Sequence, residues 1–367
     1  MTDVVIVGGG IVGTSVAYQL RDEPVSVTLV EKDELGAATT AASMALVHRH
    51  QLRPTEFDQR LRRRSWEVYD RLIKSGVTPF TRCGLLYVAE TAPFGELLER
   101  GVEALRAIGV EAHARGADEL AQYGIRPGAV DGAMHTPDEG YLETDAVVAY
   151  FANEAREAGA TVLTGTEVTD LLLDDGIVGL ETTAGVLDAD VVVNAAGPWA
   201  ADLNEMAGLS LPLRHTRGPI LELDGVPDRP DPVLVFERGS YVRQGGENGA
   251  YVGALATDFD RATRLDPDAT GPIGEAFRET VDELASTLVP SLDGGEVVDE
   301  YVGLRTVTPD GRPLVGATAV EGFLVACGMN GLGVTLAPAV GQLLASSIGA
   351  GTPNGLLEPL DPHRFEQ

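Results

Sequence analysis

Cysteine, lysine and aromatic residues are all scarce in this sequence, and each scarcity excludes something. Only Cys83 and Cys327 occur among 367 residues, far apart and with no C-x-x-C or Cys/His ligand spacing. A disulfide framework or structural zinc site therefore has no basis, and a reducing cytoplasm is the expected compartment. Lys32 and Lys74 are the only lysines, and 56 acidic residues stand against 27 Lys and Arg for a formal net charge of −29. Nucleic acids and anionic lipid surfaces attract basic clusters, so a nucleic-acid partner is excluded. An acid-coated, lysine-poor surface suits a protein kept soluble in high salt, and a halophilic source is expected. The six histidines (48, 50, 113, 135, 215 and 363) show no ligand spacing, and no metal is expected. His48 and His50 read as loop residues. No G-x-S-x-G pattern supports hydrolysis.

Two further absences concern membranes. The chain enters strand-like sequence at once, without a basic segment followed by an apolar core and cleavage site. Residues 323–357 carry no charge, yet Gly328, Gly331, Gly333, Pro338, Gly341 and Gly349 cut them into pieces too short to span a bilayer. No transmembrane segment is expected there; the stretch reads as buried interior.

Hydrophobic residues make up 44% of the chain, enough for one large domain or two that share a core. The opening "VVIVGGGIVG" reads as a buried strand, Val4 to Val7, a glycine turn, and a helix from Ile11 to Leu20 with Val12, Val16, Ala17 and Leu20 on one face. A second strand, "VSVTLVE", ends on Glu31. Gly8, Gly10 and Gly13 thus form G-x-G-x-x-G inside a βαβ unit, with an acid about twenty residues beyond the turn. Gly8 makes the turn, Gly10 lets backbone N–H groups approach a pyrophosphate, and Gly13 lets helix and strand pack closely. Glu31 would accept hydrogen bonds from a ribose diol. A dinucleotide is the expected ligand.

Three later stretches narrow the choice. "GAATTAASMALVHRH" crowds small and hydroxyl residues, so Thr39 and Thr40 can bond phosphate or ribose and a flat ring can lie against the backbone. "VTDLLLDDGIVGLETTAGVLDADVVVNAAGPWA" reads as a β-meander closing on a buried strand, Val191 to Val193, and returning to glycine at Gly197. "GFLVACGMNGLGVTLAPAVGQLLASS" carries a strand into a second glycine-rich loop, Gly328 to Gly333, with a helix from about Val334 and Pro338 early in it. A helix N-terminus suits a ring that becomes negative on reduction, which points to flavin. "RLRRRSWEVYDRLIK" reads as a solvated helix face, and "DGVPDRPDP" and "RLDPDATGP" as surface loops.

"VVIVGGGIVGTSVAYQL", "EKDELGAATTAASMAL", "VVNAAGPWA", "GLRTVTPDGRPLVG" and "GMNGLGVTLAPAVGQLLA" together resemble, in order and spacing, the FAD-dependent D-amino-acid oxidase superfamily. Within it the chain is most similar to glycine oxidases and related D-amino-acid or sarcosine oxidoreductases. The resemblance implies non-covalent FAD and an α/β fold, α+β overall: a Rossmann-like FAD-binding domain with a three-stranded meander plus a mixed antiparallel-sheet substrate domain. The FAD part would be discontinuous, 1–48, 138–205 and 300–367, with 49–137 and 206–299 forming the substrate part.

Carried onto this chain, the resemblance assigns Ile11, Val12 and the first glycines to the pyrophosphate. Glu31 and Lys32 fall to the adenosine ribose, and Thr39 and Thr40 to the next phosphate or ribitol groups. Met44, Ala45 and Leu46 run beside the isoalloxazine, and the Val168 backbone meets the adenine. Gly328, Met329, Asn330, Gly331, Leu332, Gly333, Val334 and Thr335 cover the flavin pyrimidine edge. Many relatives carry His where this chain has Met329, a departure that removes a possible hydrogen bond. Arg305 matches the arginine that grips the substrate carboxylate, with Tyr241 assisting it. From the residues alone, an ion pair of Arg305 with Asp310 and a packing role for Tyr241 remain open, with Tyr251 as a competitor.

The expected reaction is oxidation of the Cα–N bond of a small amino acid by hydride transfer to flavin N5, giving an imine and then a 2-oxo acid. O₂ or a quinone would be the electron acceptor, and a homo-oligomer is possible. A 2-hydroxy-acid or glycerol-3-phosphate dehydrogenase, or a non-catalytic flavin-binding subunit, are the alternatives.

Overall fold

The computed structural model describes residues 1–227, 232–245, 248–349 and 355–365. Two large sheets organise them. The first has six strands in the order Leu314–Ala317, Phe323–Cys327, Val191–Asn194, Thr2–Val7, Val25–Val30, Thr161–Leu163. All neighbours are parallel except the Leu314–Ala317 edge. Its central strands read as unbroken apolar runs because both faces are covered. Helices Ile11–Leu20, Thr144–Glu157 and Gly333–Gly349 share one core with them. The meander Val168–Leu173, Ile177–Thr182, Gly185–Asp188 and helix Ala200–Met206 contribute to a second core with Val5, Val192 and Val325.

Helices Ile11–Leu20 and Gly333–Gly349 cross closely because position 341 is glycine: a Cβ there would lie 2.7 Å from Ser15 Oγ. Pro338 lies inside the second of these helices and has no N–H to give the Val334 carbonyl. Neighbouring helices supply replacements. Tyr69 Oη donates to Val334 O (2.5 Å), Ser65 Oγ accepts from Ala339 N (3.1 Å), and Ser15 Oγ donates to Ala337 O (2.9 Å). The interruption is thus paired from both sides.

The second sheet has eight strands, in the order Glu296–Val307, Arg214–Asp224, Gly249–Ala254, Ser240–Gly245, Val233–Phe236, Leu85–Ala89, Gly132–Thr136, His113–Gly116. Helix Glu275–Thr287 packs on it through Val281 and Leu284, against Leu221, Leu234 and Val242. Alternation sends Tyr241 and Ile220 to the opposite face, where they meet Met44 from the first part of the chain. A small third sheet has Gly140–Leu142 between Leu46–Val47 and Phe80–Arg82.

Two elements cross the division drawn from the sequence. Helix Glu56–Lys74, expected in the substrate part, sends Leu61, Val68, Tyr69 and Leu72 into the core of the first sheet. Strand Glu296–Val307, mostly assigned to the FAD part, is an edge of the large second sheet. Among the described residues no helix is long and apolar enough to cross a membrane.

Candidate active site

Two cavities meet at Thr39. The outer one, about 300 Å³, lies at the C-terminal ends of the parallel strands Thr2–Val7 and Val25–Val30. Gly8, Gly10, Glu31, Lys32, Thr39, Thr40, Val168 and Gly197 all line it. Gly8 has φ +110°, and a Cβ there would lie 2.4 Å from the Ala195 carbonyl oxygen, so only glycine makes this turn. Gly13 serves packing instead: a Cβ would strike Gly8 O at 1.9 Å. Glu31 holds the turn from the next strand, accepting from Gly9 N (2.6 Å) and Asp33 N (2.8 Å). Helix Ile11–Leu20 has no acid in its first turn, and Thr40 Oγ1 accepts from Ile11 N at 3.1 Å.

A latch absent from the sequence reading closes this cavity. Asp268, in the "RLDPDATGP" segment, accepts from Lys32 Nζ (2.6 Å) and from Trp199 Nε1 (3.0 Å). Lys32 also stacks 3.9 Å above the Trp199 ring. The expected surface loop therefore helps wall the outer cavity, and Lys32 and Trp199 hold Asp268 below the usual carboxylate range.

The inner cavity, about 90 Å³, is lined by Thr39, Met44, Ala45, Leu46, Tyr241, Arg305, Gly331 and Val334, together with His48, Gly218, Leu255 and Gly303. Ala45 has φ +53°, a costly conformation for a residue with a Cβ. Ser43 Oγ secures it by accepting from Ala45 N (3.1 Å), and Leu142 N donates to its carbonyl (3.1 Å). Opposite lies the 328–333 loop. Asn330, φ +52°, is locked there: its side chain bonds Thr308 N (3.0 Å) and Gly328 O (2.6 Å).

Arg305 enters from strand Glu296–Val307. Its guanidinium lies over Gly218, where a Cβ would come within 2.7 Å, and its stem passes Gly331. Tyr241 lies over Gly253 in the same way, at 2.3 Å. The register explains it: Gly218 pairs with Gly303, and Gly253 pairs with both Tyr241 and Ile220, so missing side chains on adjacent strands open one hollow. Arg305 donates to Ala254 O (2.8 Å) and Arg217 O (3.3 Å) and contacts the Tyr241 hydroxyl, which leaves N–H donors unused.

The alternatives left open by the sequence resolve geometrically. Asp310 pairs with Arg364 at 2.8 Å, not with Arg305. Tyr251 Oη donates to Glu222 (3.2 Å), while Tyr241 reaches Arg305. Burial pushes the Tyr241 phenol up and Arg305 down from the ordinary guanidinium value, and the guanidinium stays charged.

Several assigned residues support the cavities without lining them. Ile11, Val12, Gly13, Gly328, Met329, Asn330, Leu332, Gly333 and Thr335 fall outside both linings. Met329 packs in the first core, and Thr335 Oγ1 accepts from His48 N (3.0 Å) and donates to Leu46 O (3.3 Å). His48 is no bland loop residue: burial and the Arg62 guanidinium push its pKa down to about 4. Nor is the "RLRRR" helix wholly solvated, since Arg62 is 5% exposed and donates to the His48 carbonyl. Glycines inside strand patterns, in "TRGPI", "YVGALA" and "YVGLRT", were the available signal for the hollow.

A two-part ligand fits this arrangement: a glycine turn closed to a Cβ at Gly8, an uncharged helix start for a pyrophosphate, and a second chamber where Met44, Leu46, Tyr241 and Arg305 stand beside Gly218, Gly303 and Gly331. The family model for FAD dependent oxidoreductases (DAO) matches residues 3–347. The glycine oxidase of Geobacillus kaustophilus is 28% identical over 94% of this chain and 92% of its own length. Its crystal structure superposes with a TM-score of 0.85 at 25% identity, covering 100% of both chains. The L-proline dehydrogenase of P. horikoshii gives a TM-score of 0.88 at 25% identity, over 100% of this chain and 98% of that one. Human mitochondrial sarcosine dehydrogenase is 28% identical over 99% of this chain, which spans only 41% of that longer protein. The chain belongs to the DAO family of FAD-dependent oxidoreductases.

Proposed function

We propose that this protein oxidises the Cα–N bond of a small amino acid, in the class of glycine, sarcosine, proline or a D-amino acid. The observation that carries the reading is Arg305: a partly sheltered guanidinium in the inner cavity, with Tyr241 beside it and no carboxylate partner among the described residues. A guanidinium with free N–H donors facing a small cavity binds a carboxylate by paired charge-assisted hydrogen bonds. The names of the glycine oxidase, proline dehydrogenase and sarcosine dehydrogenase relatives support the same substrate class.

FAD would lie with its nucleotide half along Gly8, Gly10, Glu31, Thr39 and Thr40 and its ring beside Met44, Ala45 and Leu46. When bound it supplies the acceptor for a hydride from Cα, leaving an imine that water hydrolyses to a 2-oxo acid. This chain's residues orient and exclude. Arg305 fixes the carboxylate, and Tyr241 Oη, protonated because its phenol is buried, steadies that contact. His48 is uncharged at neutral pH, so it offers a hydrogen bond rather than a proton. O₂ or a quinone takes the electrons onward.

An anaerobic flavin-reduction screen with glycine, sarcosine, D- and L-proline and D-alanine tests the proposal. At least one should bleach the flavin. Arg305→Met should keep its yellow colour while kcat/KM falls ~30- to 1000-fold, the loss of a paired charge contact. Bleaching by 2-hydroxy acids alone would overturn the reading.

A further inference from the structure

We infer that Arg243 forms a second anion subsite, one strand row beyond the Arg305–Tyr241 clamp, and that the preferred substrate carries a second carboxylate. The inference rests on the proposed carboxylate-clamp function and specifies its substrate.

Arg243 is one of many arginines without an ion pair in this chain of net charge −29, and its surroundings set it apart. Acids occupy many of the other arginines: Arg238 holds Glu90 and Glu283, Arg264 holds Asp202 and Glu205, and Arg364 holds Asp310. Among the described residues Arg243 has no carboxylate within ion-pair distance, and its Nε is sealed from solvent without a hydrogen-bond partner. Two aromatic rings fix its guanidinium instead, Tyr141 at 4.1 Å and Tyr251 at 4.8 Å. A guanidinium stacked on ring faces keeps its in-plane N–H edge for an anion.

Its placement relates that edge to the clamp. Tyr241 and Arg243 stand two residues apart on strand Ser240–Gly245, hence on one face and about 7 Å apart. Arg243 pairs with Tyr251 and Tyr251 with Glu222; the neighbouring row is Tyr241, Gly253, Ile220 and Tyr301. Tyr251 and Tyr301 pack against the apolar cluster that holds Tyr241, so the clamp and the second cation border the same aromatic cluster. Two acids share the row of Arg243, Glu222 and Asp299; Glu222 accepts from Tyr251 Oη at 3.2 Å, and neither forms an ion pair with Arg243. A dianionic substrate approaching so acidic a protein needs fixed cations at both of its ends, and this face provides two.

The test compares acid and amide partners. For the flavoprotein under anaerobic conditions, kcat/KM is measured for D- and L-aspartate and glutamate against asparagine and glutamine. Binding of glutarate and butyrate is read in parallel from perturbation of the flavin absorbance. The wild type should favour the acid over its amide, and glutarate over butyrate, by ~10- to 100-fold, the range of a charge-assisted hydrogen-bond pair. Arg243→Gln should bring both ratios to about one, and Arg243→Lys should restore part of the preference. Equal handling of acid and amide by the wild type, or a loss in Arg243→Gln shared equally by both, would reduce Arg243 to packing and overturn the inference. If no amino acid reduces the flavin, the proposed function fails by itself, while the glutarate-to-butyrate ratio still reports on Arg243.

Discussion

The two cavities that meet at Thr39 are built by opposite means. Half of the lining of the outer one comes from residues 7–40, where Gly8, Gly10, Glu31, Thr39 and Thr40 lie within a few dozen residues and backbone conformation does the work. The inner one is assembled from Met44 to Leu46, Gly218, Tyr241, Gly303, Arg305 and Gly331, brought together by sheet register. A local site depends on which residues can adopt a dihedral angle. A composite site depends on which side chains are absent from neighbouring strands.

That contrast can be broken at several points. The largest effect is expected from Gly8→Ala, since φ +110° and an oxygen 2.4 Å from the new Cβ leave no accommodation. A strain of about 3 kcal/mol or more should weaken FAD binding ~100-fold or beyond, leaving purified protein nearly colourless in its visible spectrum. Gly218→Ala sharpens the other side. Its Cβ would press within 2.7 Å of the Arg305 guanidinium. The flavin should stay bound while KM rises ~10- to 100-fold, as a displacement of about 1 Å demands; steady-state kinetics beside flavin content separates the two.

Smaller changes probe what each cavity borrows from elsewhere. Asp268→Asn removes the ion pair with Lys32 but keeps an acceptor for Trp199. Because that pair is partly exposed, FAD binding should weaken only ~2- to 5-fold, measurable by flavin-fluorescence titration. The least effect concerns pH. His48 stays neutral in the fold down to about 4, whereas an unfolded imidazole protonates near 6.5. Between those values the unfolded chain binds more protons, so His48 lowers stability progressively as pH falls from 6.5 to 4. His48→Asn should therefore give a shallower loss of Tm across that window, by about 1–3 °C at the acid end, in thermal melts at stepped pH. An unchanged slope would show that His48 protonates in the fold as readily as in the unfolded chain.

Legibility in the sequence followed the same contrast. Helix Ile11–Leu20, the strands on either side of it and the meander could be read because their signals are local: apolar periodicity, glycine turns and an acid at a fixed offset. Arg305 and Tyr241 were reached through resemblance, since nothing within a few residues of either marks it as a ligand. Asp268 and His48 were passed over as loop residues, and Arg62 as one charge in a basic run. Their partners, Lys32, Trp199 and the His48 carbonyl, lie elsewhere in the chain or in a different element.

By itself, the sequence determined the first glycine turn, the alternation of strands and helices, and the excess of acid over base. These depend on dihedral preference, side-chain period and composition, which each short segment carries whatever its surroundings. Only the tertiary structure decided which arginine meets a cavity and which meets an acid, that Asp268 walls the outer cavity, and that glycines on adjacent strands open a hollow for Arg305. Such choices depend on distances between residues tens to hundreds of positions apart, and packing alone sets those distances.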